Sequence, residues 1–146
     1  MTSPSRAQKI SYQGILRSVT GVTSLVDVYR QRVLTQNTRT LRLLGRKSPA
    51  KIINTLLGYE VQASYKRIQC PDMVTARYLK VFSELGCHSF KLPYDPTLTA
   101  QLIPELEAMV GATVDRIREL FPRDIPVQHR VIRKVFAIIR RQLKNA

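Results

Sequence analysis

The residues best suited to chemistry are two histidines and two cysteines, and their spacing does not assemble a site. His88 and His129 are single, and neither has a carboxylate or a second histidine at metal-ligand spacing. Cys70 and Cys87 are separated without a CxxC motif, so we predict neither a disulfide framework nor a zinc site. Cys87 and His88 are adjacent on a segment predicted to be extended, where neighbouring side chains point to opposite sides. We therefore predict a protein that is not an enzyme and has no metal or cofactor of its own.

Positive charge restricts the function more than any motif does. The chain of 146 residues has 24 Lys and Arg against 10 Asp and Glu, a formal net charge of +14. Residues 1–68 carry 12 basic and 2 acidic residues, and residues 69–146 carry 12 and 8. Such an excess implies an acidic partner, which is nucleic acid, an acidic protein or anionic lipid head groups. No apolar run approaches the roughly 20 residues that cross a bilayer, so we predict no transmembrane segment.

The beginning of the chain has the composition of a targeting sequence. No acidic residue precedes Asp27, whereas Arg6, Lys9 and Arg17 and several Ser and Thr do. An N-terminal segment without acidic residues and rich in Ser and Thr is typical of a mitochondrial targeting sequence. We expect the protein in the mitochondrion, either in the matrix or on the matrix face of the inner membrane.

The elements that would position these residues are predicted to be helices. Apolar residues recur mostly at steps of three to four, which favours an all-α fold. The central prediction is a helix of about five turns over residues 51–68, entered at Ser48-Pro49. Ser24 and Asp72 are predicted N-caps, and residues 87–96 form an extended connector. The other predicted helices span residues 8–22, 25–44, 73–85, 97–121 and 127–144.

Residues 8–68 resemble the LYR-motif family of small mitochondrial helical proteins. Its members carry a Leu-Tyr-Arg triplet followed by Leu-Leu-Arg, and the corresponding string here is residues 11–17, SYQGILR. Tyr12, the Ile15-Leu16 pair and Arg17 match, whereas Ser11 and Gln13 differ. The segment over residues 51–68 is similar to the closing helix of the family. The resemblance implies a three-helix bundle over residues 1–68. Residues 69–146 lie beyond the resemblance, and we predict that they add about three further helices, packed on the bundle or on a larger assembly.

The resemblance also implies a function. LYR proteins dock the mitochondrial acyl carrier protein, whose acyl-phosphopantetheine arm inserts between the three helices. The chain would then be a non-catalytic adaptor, an accessory subunit or assembly factor of a respiratory-chain or ATP synthase complex. Its partners would be the carrier protein and subunits of that complex, and the arm would be the cofactor held. The residues predicted to bind the partner are Tyr12, Arg17, Arg30, Arg32, Arg39, Arg42, Arg46 and Lys47.

RNA is the alternative partner. Basic helices can lie directly against phosphates without any recognisable RNA-binding module. The alternative is therefore a mitochondrial ribosomal or other RNA-associated basic helical protein. Most aromatic residues lie on apolar helix faces, so we predict that they belong to the core rather than to a stacking platform.

Overall fold

The computed structural model describes residues 12–17, 24–42, 50–63 and 66–146. Helices in these ranges are α1 (Tyr12–Arg17), α2 (Leu25–Val28, continued by a π-helical turn over Tyr29–Val33), α3 (Met73–Glu84), α4 (Pro96–Leu120) and α5 (Ile125–Lys144). Strands are β1 (Thr38–Arg42), β2 (Lys51–Thr55), β3 (Gly58–Ala63), β4 (Lys66–Cys70) and β5 (Ser89–Pro93).

The all-α prediction is wrong, because the described chain is a mixed α/β fold with two antiparallel sheets. Strands β2, β3 and β4 form a meander over residues 51–70, where the five-turn helix is predicted. Strand β1 lies within the predicted second helix, which instead ends after Val33. These residues therefore do not form an LYR-like three-helix bundle. The predicted domain boundary between residues 68 and 69 falls inside β4.

The residue types of the meander explain why it forms strands. Ile52, Val61 and Ile68 lie opposite one another in the register, and their branched side chains face the core. An overlapping set also fits helical spacing, since Ile53, Leu57, Val61 and Ile68 recur at steps of four, four and seven residues. Periodicity alone therefore does not separate the two structures, and local turn chemistry decides.

The turn between β2 and β3 is that local signal. Leu56 and Leu57 form a two-residue loop between the paired Thr55 and Gly58. Gly58 has φ +126°, a conformation that glycine adopts without steric cost. Both leucines, which the helical prediction places on an apolar stripe, are 105% and 84% exposed at the hairpin tip.

The three helices predicted over residues 73–85, 97–121 and 127–144 are confirmed as α3, α4 and α5. Asp72 caps α3 by accepting a hydrogen bond from the Thr75 N–H at 2.7 Å, and Gly86 follows the end of α3 with φ +81°. Ser24 likewise caps α2. Helix α3 packs between the meander and α4, while α1 and α2 pack on α5. Among the helices described, none has the length and apolar character to cross a membrane.

Candidate nucleic-acid interface

The acidic side chains of the protein are almost all engaged within the fold. All ten lie in the described ranges; six form ion pairs and three, Asp72, Asp95 and Asp124, are helix N-caps. Asp115 is the remaining acid, and it is exposed on α4. Among the described residues, the cations outside the six pairs have no ion-pair partner, and they define the candidate site.

The largest set of such cations lies on α5. This helix contains six Lys and Arg and no acid. At 3.6 residues per turn, the five exposed ones fall within an arc of about 100° and span about 21 Å of the helix axis. None of the five forms an ion pair with a carboxylate of the described chain. We call this set the basic stripe; it consists of Arg130, Arg133, Lys134, Arg141 and Lys144.

The opposite face of α5 fixes the stripe in place. Val131 and Val135 are fully buried, and Ile139 and Leu143 are 5% and 8% exposed. The helix begins at the Asp124 cap, whose carboxylate accepts the Val127 N–H at 3.2 Å. Because the apolar face belongs to the core, α5 presents only its cationic face outward.

A further cation outside the stripe, Lys91, lies on the ribbon formed by β1 and β5. Lys91 donates its backbone N–H to the Tyr29 hydroxyl, and its carbonyl accepts a hydrogen bond from the Tyr78 hydroxyl, both at 2.7 Å. Since both backbone groups point away from β1, Lys91 and its partner Thr40 form a non-hydrogen-bonded pair, in which side chains lie closest. The Lys91 ammonium accordingly donates to the Thr40 hydroxyl.

The ribbon and the last turns of α5 enclose a cleft of about 730 Å³. No aspartate or glutamate is among the described residues that line it. Burial raises the pKa of the Cys87 thiol in the cleft to about 12, so this thiol stays neutral. The described lining consists of Tyr29, Leu34, Thr40, Cys87, His88, Ser89, Phe90, Lys91, Ala137, Arg140, Arg141, Leu143, Lys144 and Ala146.

The predicted partner-binding residues of the first half have varied surroundings. Arg30 pairs with Asp27 at 3.5 Å, and Arg32 pairs with Glu105 at 2.6 Å. Tyr12 is half-buried and packs against the core. These three residues have intramolecular contacts, and the pair of Arg32 and Glu105, 73 positions apart, is the one that sequence spacing does not reveal.

Of the remaining predicted cations, the three that the structure describes are not collected into one site. Arg17 is exposed at the end of α1, and Arg39 and Arg42 are exposed on β1. Arg42 lies opposite Ser89, on the ribbon face that carries Lys91, whereas Arg39 lies opposite Leu92 on the other face. Arg46 and Lys47 lie outside the described residues.

The charge averaged over each half directs attention to residues 1–68 and hides the cationic face of α5. Residues 69–146 have eight acids, all of which lie before residue 125. From there to the end the chain carries six cations and no acid, a signal that a shorter window reveals. The cleft has no such signal, since Lys91 lies far from α5 in sequence.

Comparisons with protein-family models, curated proteins and solved structures gave no match for this chain. They therefore provide no support for the LYR resemblance, which stays a prediction. Among the described residues, no group of three or more His, Cys, Asp or Glu is arranged to hold a metal ion.

Proposed function

We propose that the protein is a non-catalytic RNA-associated protein that binds the phosphate backbone through the basic stripe of α5. The observation that carries this proposal is the set of five exposed cations on one helix face without a neutralising carboxylate. A stripe of about 21 Å is long enough to contact several consecutive phosphates of a nucleic-acid backbone. Arg130, Arg133 and Arg141 add planar guanidinium groups, which bind phosphate in a bidentate manner.

The surroundings of the stripe argue against the other acidic partners. A membrane-binding helix inserts its apolar face, but that face of α5 is in the core. Protein interfaces depend on buried aromatic or aliphatic anchors. The exposed large apolar residue of α5 is Ile125, in its first turn and away from the stripe. A polyanion that requires only positive charge is the partner that fits.

The physical argument for predicting a carrier-protein adaptor no longer holds. That prediction requires a lipid-width interior between three helices, and residues 38–42 and 51–70 are strands. The mitochondrial localisation does not depend on the bundle, and it stays a prediction. The RNA-associated alternative does not depend on it either.

The proposal is tested with a stripe variant in which Arg130, Arg133 and Lys134 are replaced by glutamine. Binding to a fluorescently labelled 20-nucleotide RNA is measured by anisotropy over a series of salt concentrations. Each phosphate contact contributes about −0.7 to the slope of log K against log salt for single strands, so we expect the slope to become shallower by about 2. At 0.1 M salt this corresponds to an affinity loss on the order of 100-fold.

The matched control removes the same charge elsewhere. Arg30, Arg67 and Arg116, which are ion-paired with acids, are replaced by glutamine. We expect this variant to bind RNA within a few-fold of the native protein. Equal losses in both variants, or competition by polyglutamate as effective as competition by unlabelled RNA, would overturn the proposal.

A further inference from the structure

The cleft between the ribbon and α5 shares Arg141 and Lys144 with the stripe, but the rest of its lining differs from the stripe. Its volume of about 730 Å³ is in the range of sites that hold small organic ligands. The stripe is open and polar, whereas the cleft has apolar walls below its cations. A phosphate backbone alone would leave those apolar walls without a role.

The interior of the cleft is apolar with one available hydrogen-bond donor. Leu34 contributes from the segment after α2, and Ala137 and Leu143 contribute from α5. The Tyr29 hydroxyl accepts the Lys91 N–H, but its own proton has no acceptor among the described residues. Tyr29 is 4% exposed, and burial raises the pKa of its hydroxyl, so this donor stays protonated.

Cations occupy both sides of the rim. Lys91 lies on the ribbon, and Arg141 and Lys144 lie on the last turns of α5. Arg140 also lines the cleft, but its guanidinium donates to the Leu85 carbonyl at 2.8 Å. This bond anchors α5 to the end of α3 and keeps a positive charge beside the cleft.

An apolar interior, a buried hydroxyl donor and a cationic rim together match the chemistry of a nucleotide. A base has a flat apolar face and polar edges, and the phosphate next to it is anionic. We propose that the cleft receives one unstacked nucleotide of a single-stranded RNA, with the base beside Leu34, Ala137 and Leu143 and a flanking phosphate on Arg141 and Lys144. This inference rests on the proposed function and adds a preference for single strands, because paired bases in a duplex cannot enter a cleft.

The test fills the cleft without changing its charge. Ala137 is replaced by phenylalanine, with Ala137→Ser as the matched control at the same position. Thr40→Phe fills the cleft from the ribbon side, in case the first variant does not fold. Binding to a 12-nucleotide uridine RNA and to a blunt RNA duplex is measured at 0.1 M salt, after circular dichroism has verified the fold.

We expect the native protein and Ala137→Ser to prefer the single strand by on the order of tenfold, the scale of one bound base. Ala137→Phe and Thr40→Phe should lose this preference, and Thr40→Phe, which lies on β1 and not on α5, should also keep the native duplex affinity. The stripe variant should lose affinity for both RNAs. Native protein that binds both RNAs equally, or a folded cleft-filling variant that keeps the preference, would overturn the inference while leaving the proposed function intact. Failure to bind either RNA would overturn both.

Discussion

At the residue scale, the cleft depends on two tyrosine hydroxyls that the sequence places in the core without any indication of what they bind. Tyr29 and Tyr78 are both buried, and each hydrogen-bonds one polar group of the Lys91 backbone. Phe82 lies against both rings, at centroid distances of 5.7 and 4.9 Å. The prediction that aromatic residues on apolar helix faces belong to the core is confirmed for Tyr78 and Phe82 on α3. Sequence patterning cannot predict the Lys91 contact, since the hydroxyl partners come from distant segments.

Removal of one of these hydroxyls should destabilise the fold. In Tyr78→Phe the Lys91 carbonyl loses its partner in a site where Tyr78 is 0% exposed. An unsatisfied buried polar group costs about 1–3 kcal/mol, so we expect the free energy of unfolding to fall by this amount in urea titrations. The control is Tyr94→Phe, because Tyr94 is 65% exposed, and it should change stability by less than about 0.5 kcal/mol. Equal stabilities of the two variants would contradict the role of the Tyr78 hydroxyl.

At the scale of elements, the predictions succeed where local signals agree and fail where they compete. Helix α3 has an aspartate cap, an apolar face of helical period and a terminal glycine, and all three indicate the same bounds. In residues 51–70 the apolar spacing fits a helix, while the branched residues and Gly58 favour a hairpin. The pairing of β2, β3 and β4 adds stability through cross-strand contacts that the spacing of apolar residues does not display. The same is true of β1, whose partner β5 is a distant segment.

The junction of α3 and α5 provides a test at this scale. Gly86 has φ +81°, and a Cβ there would lie 2.9 Å from Nη1 of Arg140. Gly86→Ala should therefore lower the free energy of unfolding by about 1–2 kcal/mol, through backbone strain and displacement of Arg140. Gly111→Ala is the matched control, because Gly111 is inside α4 with open space at its Cβ position. Alanine there should raise stability by up to about 1 kcal/mol. Stabilisation by both substitutions in urea titrations would contradict the expectation.

At the scale of the whole molecule, net charge predicts the class of partner but not the face that binds it. The charge of +14 is a property of the composition, whereas the free cations are defined by which acids the fold uses. Arg32 illustrates the difference: its sequence context suggests a partner contact, yet in the fold it meets Glu105, which is 73 residues away. The pairing of charges therefore has to be observed, since sequence cannot reveal it.

The antiparallel ribbon also determines when the cleft is completed as the chain folds. Thr40 and Lys91 are 51 positions apart, whereas the β2–β3 hairpin closes a loop of two residues. Bringing distant segments together costs more chain entropy, so we expect the meander to form first and the ribbon to form late. Pulsed hydrogen exchange during refolding should protect the amides of β3 before those of β5, and the reverse order would contradict this sequence of events. A nascent chain would thus complete the proposed RNA-binding cleft only after the meander has formed, when Phe90 and Leu92 of β5 join the core.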